Sequence, residues 1–169
     1  MKRLLLLRHA KSSWKHSGLA DHDRPLNTRG MKAAPRMGML VSFEQILPDR
    51  IMSSTAKRAR NTANAVAEAA EFEGEIELDA RLYMATPRDI LSRIRKTDDS
   101  VITLMIVGHN PGLEDLVSLL LHQAVRFPTA ALACLDFKSD HWNQLVLGTS
   151  PESARIWRPR DLDRPEAVS

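Results

Sequence analysis

One stretch near the start of the chain constrains the fold more than any other. The residues from Leu4 to Leu7 are four consecutive leucines, and the sequence turns directly to charge at Arg8 and His9. Such a run predicts a buried strand of an α/β sheet. Ligands of these sheets bind just beyond the carboxyl ends of the strands, so we expect Arg8 and His9 at the mouth of a pocket. Arginine offers a fork of donors for phosphate or carboxylate, and a neutral histidine offers a nucleophilic nitrogen. Taken alone, the pair also fits a salt-bridged strand end, which is the commoner arrangement.

Two later stretches repeat the pattern of an apolar strand, a polar turn and a helix. Residues 51–63 place Arg58 in the first turn of a helix, where backbone N–H groups and the helix dipole favour anions. Residues 104–112 place His109 directly after a strand. If the three strands are neighbours, their ends form one anion-binding pocket that contains Arg58 and His109 as well as the first pair.

Composition and charge narrow the function classes. The 169 residues are 43% hydrophobic and 27% charged, which is ordinary for a globular chain and predicts one domain over residues 1–169. The formal charge of +3 suits an anionic substrate, but no long basic run with interleaved aromatic residues occurs, so we expect no nucleic-acid partner. Cys134 is the one cysteine, which excludes an internal disulfide and predicts a reducing, cytoplasmic location. No stretch is long or apolar enough to cross a membrane.

Four motifs in order carry a resemblance to a known family. They are Arg8-His9, the segment from Pro25 to Gly30, Ser53-Ser54 with Arg58-Ala59 and Thr62-Ala63, and Val107-Gly108-His109. Together they resemble the histidine phosphatase superfamily, which has the phosphoglycerate-mutase-like fold. The residues from Arg8 to Ser12 read Arg-His-Ala-Lys-Ser, which is similar to the short SixA-type phosphohistidine phosphatases of that superfamily. The resemblance extends from about residue 2 to about residue 147.

The resemblance implies a three-layer α/β/α sandwich with a mostly parallel central sheet, and local patterns predict where its elements lie. Asn27 or Thr28 is expected to cap the first helix, and Ser54 or Thr55 the second. The other predicted elements are helices over residues 88–96 and after residue 112, strands at 51–52, 73–79 (around Ile76 and Leu78) and 101–107, a hairpin of residues 131–137 and 144–147, and a surface tail over residues 151–169.

The residue types in the motifs predict phosphoryl-transfer chemistry. The transferring group spreads its charge over three oxygens, and Arg8 and Arg58 can offer paired donors to them. His109 adds a further donor to the substrate. Two adjacent guanidiniums disfavour the cationic form of His9, so its ring stays neutral and can attack phosphorus in line. We expect a phosphohistidine intermediate on His9 that water hydrolyses, with no metal or other cofactor because the arginines supply the positive charge.

A missing acid bears on the substrate. Mutases and many phosphomonoesterases of the resembled superfamily carry a glutamate, as general acid, in the loop that corresponds to the residues from Leu82 to Pro87. Met84 stands nearest to that position here, and the loop contains no acid. An alkoxide leaves poorly without a proton, whereas a phosphorylated imidazole that is protonated on its other nitrogen leaves as a neutral ring. The loop therefore favours phosphohistidine as the substrate and makes mutase activity the least expected.

Asp21 is a candidate for a proton-transfer role in the polar loop of residues 12–24. A carboxylate beside a phosphate site is electrostatically unfavourable unless it moves protons or orients a base. The competing interpretation is structural, either a salt bridge between Asp21 and Arg24 or a turn-forming aspartate.

Three interpretations of function remain open. The first is a phosphatase that acts on phosphohistidine-containing proteins. The second is a small-molecule phosphomonoesterase in which Asp21 supplies the proton. The third is a non-catalytic phosphate-binding module, against which the intact set of Arg8, His9, Arg58 and His109 argues. The sequence leaves open the partner protein, the residue that activates water and the oligomeric state.

Overall fold

The computed structural model describes residues 1–163. These residues contain one six-stranded sheet. Its strands are β1 (Lys2–Arg8), β2 (Arg50–Ser53), β3 (Ile76–Leu78), β4 (Thr103–Gly108), β5 (Leu132–Phe137) and β6 (Ser153–Trp157). The order across the sheet is β3-β2-β4-β1-β5-β6. The pairs β3-β2, β2-β4 and β4-β1 are parallel, and β5 runs antiparallel to both of its neighbours. The prediction of a mostly parallel sheet is confirmed.

Helices cover both faces of the sheet. Those within residues 1–163 are α1 (Thr28–Phe43), α2 (Lys57–Ala69), α3 (Pro87–Arg95) and α4 (Gly112–Leu121). One hydrophobic core joins α1 and α2 to the sheet, and a second joins α3 and α4 to the opposite face. The fold is therefore the predicted three-layer α/β/α sandwich. No helix in the described part of the chain is long and apolar enough to cross a bilayer.

The leucines of β1 show how the two cores share the sheet. Leu4 and Leu6 pack in the core under α3 and α4, and Leu5 and Leu7 pack in the core under α1 and α2. A strand that is covered on both faces is apolar at every position, which explains four consecutive leucines. Each fully buried leucine stabilises the fold by about 1.5–3 kcal/mol. The central position of β1 thus follows from its sequence.

The start of α1 lies directly against the segment that follows β1. Asn27 is its cap, as one of the two predicted alternatives, and its side chain accepts a hydrogen bond of 2.9 Å from the backbone N–H of Gly30. A Cβ atom at Gly30 would lie 2.1 Å from the carbonyl oxygen of Lys11. Only glycine fits this contact without displacing backbone, so Gly30 holds α1 beside the carboxyl end of β1.

The predicted cap of α2 is wrong. Ala56 occupies the cap position without a side-chain hydrogen bond, whereas we predicted Ser54 or Thr55. Both hydroxyls bind side chains from distant parts of the chain, and Ser54 Oγ also accepts a local hydrogen bond of 3.2 Å from the backbone N–H of Ala56. Ser54 Oγ is hydrogen-bonded to the ring of His109 at 2.8 Å, and Thr55 Oγ1 to the ring of His22 at 2.8 Å. These contacts between distant parts of the chain take the place of the local cap.

The predicted hairpin is wrong in its second strand. β5 covers residues 132–137 as expected, but residues 142–144 form a 3-10 helix, and the antiparallel partner of β5 is β6. Trp142 is fully buried, and its Nε1 donates to the carbonyl oxygen of Val101 at 2.8 Å. Trp142 and Leu145 are buried in the core, and residues 144–147 form no strand of the sheet.

The predicted surface tail is also wrong over part of its length. Residues 153–157 form β6, which is an edge strand of exposed and half-buried residues and so lacks a clear apolar alternation. Residues 159–163 form a 3-10 helix, and Asp163 pairs with Arg36 of α1 at 2.8 Å. The rest of the predicted tail, residues 164–169, lies outside the described residues.

Candidate active site

Three neighbouring strands bring their carboxyl ends together. The register pairs Arg8 of β1 with Gly108 of β4, so the residues that follow them, His9 and His109, lie side by side with ring centroids 5.1 Å apart. The backbone N–H of His9 donates to the carbonyl oxygen of Gly108 at 3.0 Å. β2 ends beside β4 and leads into α2, which brings Arg58 to the same edge. The strands are neighbours, as the predicted pocket requires.

His9 is buried and held in one ring orientation. Its Nδ1 lies 2.7 Å from the carbonyl oxygen of Ala10, which can only accept, so Nδ1 carries the proton and donates. Nε2 is then the unprotonated nitrogen, and it has no hydrogen-bond partner within residues 1–163. Burial, and to a smaller degree the charges of Arg58, Arg8 and Arg24, lowers the pKa of His9 to about 4. The ring is neutral at pH 7 as predicted, but burial is the main cause rather than the guanidiniums.

The two arginines predicted to bind phosphate are both oriented by protein contacts. Arg8 donates from Nη1 to the carbonyl oxygen of Phe127 at 3.2 Å, and burial lowers its pKa. Arg58 is buried in the first turn of α2. It donates to the backbone carbonyl oxygen of Asp21 at 2.7 Å and to Oδ2 of the same residue at 3.0 Å. Both cations lie close enough to His9 to oppose a second positive charge there.

Asp21 is the centre of a hydrogen-bond network. Its Oδ1 accepts from Arg24 at 2.9 Å, and its Oδ2 accepts from Arg58 and from the hydroxyl of Tyr83 at 2.5 Å. The salt bridge with Arg24, one of the two predicted interpretations, is confirmed. The hydrogen bond from Tyr83, followed by those from the two arginines, holds the pKa of Asp21 well below its usual range. Asp21 is therefore ionised at neutral pH, which is unfavourable for a proton donor.

His109 is buried at the end of β4. Its Nε2 is hydrogen-bonded to Ser54 Oγ at 2.8 Å, and its Nδ1 is a buried atom without a partner in the described part of the chain. Burial, followed by the charges of His9 and Arg58, lowers the pKa of His109 to about 3. A buried polar atom without a partner is unusual in folded proteins, and Nδ1 of His109 is therefore available to a ligand in the pocket.

Tyr83 is a site residue that the sequence analysis missed. It precedes Met84 in the loop before α3, where we looked for an acid and did not weigh a hydroxyl. The Tyr83 ring packs edge-on against His109 at 5.5 Å and against His22 at 4.8 Å, between centroids, while its hydroxyl reaches Asp21. Met84 itself is 67% exposed. The polar loop and the loop before α3 therefore meet at Tyr83.

Arg24 is a second residue that was not placed in the site. It is buried, donates to Ser12 Oγ at 2.6 Å and lies over the ring of Trp14, 3.3 Å from its centroid. Three guanidiniums and one carboxylate thus surround the two histidines, and this excess of positive charge suits a phosphoryl dianion. Within residues 1–163, no group of three or more His, Cys, Asp or Glu side chains is placed to hold a metal ion.

Comparisons with known proteins show the family and the fold of the chain. The chain matches the model of the histidine phosphatase superfamily (branch 1) over residues 4–83. It is 30% identical to a chloroplast protein of Arabidopsis thaliana without assigned function, over 98% of this chain and 79% of that one. A solved structure from Agrobacterium tumefaciens, described provisionally as the phosphohistidine phosphatase SixA, is 36% identical with a TM-score of 0.75, covering 81% of this chain and 92% of that one. The structure of the protein histidine phosphatase SixA with tungstate has a TM-score of 0.76 at 18% identity, over 95% and 99% of the two chains.

The matched regions include the pocket. The superfamily match contains Arg8, His9, Asp21 and Arg58, and the likeness to the solved structures extends over most of the chain. The chain therefore belongs to the histidine phosphatase superfamily, and it is a phosphatase.

Proposed function

We propose that the chain is a phosphohistidine phosphatase that works through a covalent intermediate on His9 without a metal. The state of the His9 ring carries this proposal. Its Nδ1 donates to the carbonyl oxygen of Ala10, and its Nε2 is unprotonated beside Arg8 and Arg58. A neutral imidazole nitrogen with a free lone pair is the form that attacks phosphorus. Because the pKa of His9 is lowered to about 4, nearly every ring is in this form at neutral pH.

The first step transfers the phosphoryl group to the enzyme. The bond between Nε2 of His9 and phosphorus forms as the bond to the leaving atom breaks on the opposite side. Arg8 and Arg58 stabilise the charge on the three phosphoryl oxygens, and His109 donates a further hydrogen bond. In the second step a water oxygen attacks phosphorus and the bond to Nε2 breaks. Inorganic phosphate leaves with the protons of the water, and His9 is again neutral with Nδ1 protonated.

The lack of a proton donor supports phosphohistidine as the substrate. Asp21 is ionised, and the hydrogen bond to Asp21 raises the pKa of the Tyr83 hydroxyl, which makes it a poor acid. An alkoxide leaving group would find no proton in this pocket. A phosphorylated imidazole that carries a proton on its other nitrogen leaves as a neutral ring and needs none. The likeness to solved structures named for SixA supports the same substrate class, so the proposed partner is a phosphohistidine-containing protein.

Phosphate release in the presence of a chelator tests this proposal. The substrates are a phosphohistidine peptide and the same peptide with phosphoserine in its place. We expect the first to be hydrolysed faster, and His9→Ala to lose about a thousandfold or more of that activity. His16→Ala, at an exposed histidine, is the matched control and keeps the wild-type rate.

The same measurement decides among the alternatives. A preference for phosphoserine that disappears in Asp21→Asn would establish a phosphomonoesterase with Asp21 as the acid. Phosphate binding without turnover of either peptide would establish a non-catalytic module. Activity that survives in His9→Ala would place the nucleophile elsewhere.

A further inference from the structure

A wide groove lies next to the catalytic pocket. It has a volume of about 1000 Å³, begins at Arg8 and runs along α1 between residues 126–130 and residues 158–163. The nucleophile and Arg58 do not line it. Eight of its lining residues are Lys or Arg and two are Glu or Asp, so we call it the basic groove.

The net positive charge of the basic groove is larger than that of the whole protein. Its lining carries a formal charge of +6, whereas the complete chain carries +3. The remaining 16 basic and 19 acidic residues therefore give the rest of the chain a charge of −3. A protein that is acidic elsewhere and strongly basic in one groove has a field that attracts anions to that groove.

Most of these cations are not neutralised by the protein. Arg36 pairs with Asp163 at 2.8 Å, and Arg158 donates to the carbonyl oxygen of Arg126 at 2.9 Å. Five other side chains are exposed and make no ion pair within residues 1–163, namely Lys11, Arg29, Lys32, Arg126 and Arg160. Like charges gathered in one groove repel each other, and an anionic partner relieves that repulsion.

The cations form a row that leads away from the pocket. Arg29, Lys32 and Arg36 are three and four residues apart, so they share one face of α1 over about 10 Å. Lys11 stands at the start of this row, where the close approach of its carbonyl oxygen to Gly30 fixes the start of α1. Arg29 and Lys32 in this row are exposed, and an extended series of cations fits an extended acidic surface better than it fits a compact anion.

We propose that the basic groove binds an acidic surface of the protein that carries the phosphohistidine. This inference rests on the proposed function and names the surface chemistry of its partner. Arg8 both lines the groove and belongs to the catalytic pocket, so a protein bound along the row presents its phosphohistidine to His9. Charges at the edge of an interface change association and its salt dependence, and leave the chemical step unchanged.

Charge reversal tests the proposal. The groove variant is Arg29→Glu with Lys32→Glu, in which the new acid near the helix start is favourable for α1. The matched control is Arg88→Glu with Arg95→Glu, at exposed residues of α3 on the opposite face of the sheet. Arg88 is the second residue of α3, as Arg29 is the second residue of α1. The probes are two phosphohistidine peptides, one flanked by glutamates and the other by glutamines.

We expect KM for the glutamate peptide to rise about tenfold in the groove variant and to stay within about twofold in the control, as for a few exposed ion pairs. The value of kcat for both peptides, and KM for the glutamine peptide, should not change. Raising the salt concentration should weaken the wild-type preference for the glutamate peptide. Equal KM values for that peptide in wild type and groove variant would overturn the proposal and leave the proposed function intact.

Binding of the unphosphorylated glutamate peptide, followed by fluorescence anisotropy, separates the groove from the chemistry. Suppose that the wild type binds this peptide, that the groove variant does not, and that neither phosphohistidine peptide is hydrolysed. The proposal for the groove would then be supported, and the proposed function would fail. Tripolyphosphate is the compact probe. If the groove variant loses tripolyphosphate binding but keeps peptide binding, the acidic protein surface is the wrong occupant.

Discussion

The catalytic pocket and the basic groove both concentrate cations, but they hold them in different ways. In the pocket, Arg24 and Arg58 are buried and bonded to Asp21. In the groove, Arg29 and Lys32 are exposed and make no ion pair within the described residues. A buried charge without a partner is strongly unfavourable, whereas water and salt compensate an exposed one. Under the two proposals, this difference means that the pocket acts through fixed charges on bound phosphate, whereas the groove acts through its electrostatic field on an approaching partner.

Among the changes that compare the pocket with the groove, the largest expected effect comes from removing a fixed cation. Arg58→Ala should lower kcat/KM about a hundredfold to a thousandfold, as for the loss of one preorganised donor to a transition state. Lys57→Ala, at the exposed preceding residue of α2, is the matched control and should change little. Single substitutions in the groove, such as Lys32→Ala, should also have small effects. If Arg58→Ala and Lys32→Ala lost similar activity, the contrast between pocket and groove would be broken.

The pH dependence of stability distinguishes the pocket from the groove, because the pocket contains two buried histidines. The pKa values of His9 and His109 are lowered to about 4 and about 3, whereas an unfolded histidine titrates near 6.5. Below pH 6.5 the unfolded chain therefore binds protons that the folded protein does not. The free energy of unfolding falls as the pH is lowered from 6.5 to the pKa of the histidine in the folded protein. Each histidine contributes a slope of up to about 1.4 kcal/mol per pH unit.

Urea unfolding at pH 7 and at pH 5 measures this slope. His9→Gln should lose less stability between the two pH values than the wild type does, and Lys32→Gln in the groove should lose as much as the wild type. A slope for His9→Gln equal to that of the wild type would mean that His9 titrates like an exposed histidine.

A smaller effect is expected at the edge of the pocket. Tyr83→Phe removes the hydroxyl that donates to Asp21, which in turn positions Arg58. We expect kcat/KM to fall about threefold to tenfold, in line with the loss of one hydrogen bond. Because Tyr83 is the leading cause of the low pKa of Asp21, that pKa should rise in the variant and be visible by NMR titration. Met84→Ala, at the exposed neighbour, controls for changes in the loop, and an unchanged Asp21 titration would remove Tyr83 from the network.

The pocket residues that the sequence predicted are those that follow strong apolar runs. Arg8 ends β1, and His9 and His109 come directly after β1 and β4, so a local pattern was enough to place them. Arg58 was placed by its position in the first turn of a helix. These features depend on short stretches of sequence, and the parallel order of the strands then brought them together.

The residues that were missed or misplaced depend on contacts between distant parts of the chain. Tyr83 reaches Asp21 across 62 positions, and Ser54 reaches His109 across 55. β6 forms because β5 offers an unpaired edge, although its own residues carry little apolar pattern. Trp142, in the expected turn of the hairpin, is instead buried in the core, where its Nε1 donates to the carbonyl oxygen of Val101, 41 positions away. Local periodicity contains no signal for such pairings.

The central claim is that Nε2 of His9 takes the phosphoryl group because the carbonyl oxygen of Ala10 binds Nδ1. Rapid quenching of the enzyme with a phosphohistidine peptide, followed by phosphorus NMR of the isolated protein, identifies the phosphorylated nitrogen. We predict one phosphoryl group, on Nε2 of His9, absent in His9→Ala and present in His16→Ala. A phosphoryl group on Nδ1 or on another residue, or turnover without any phosphoryl-enzyme, would contradict the account.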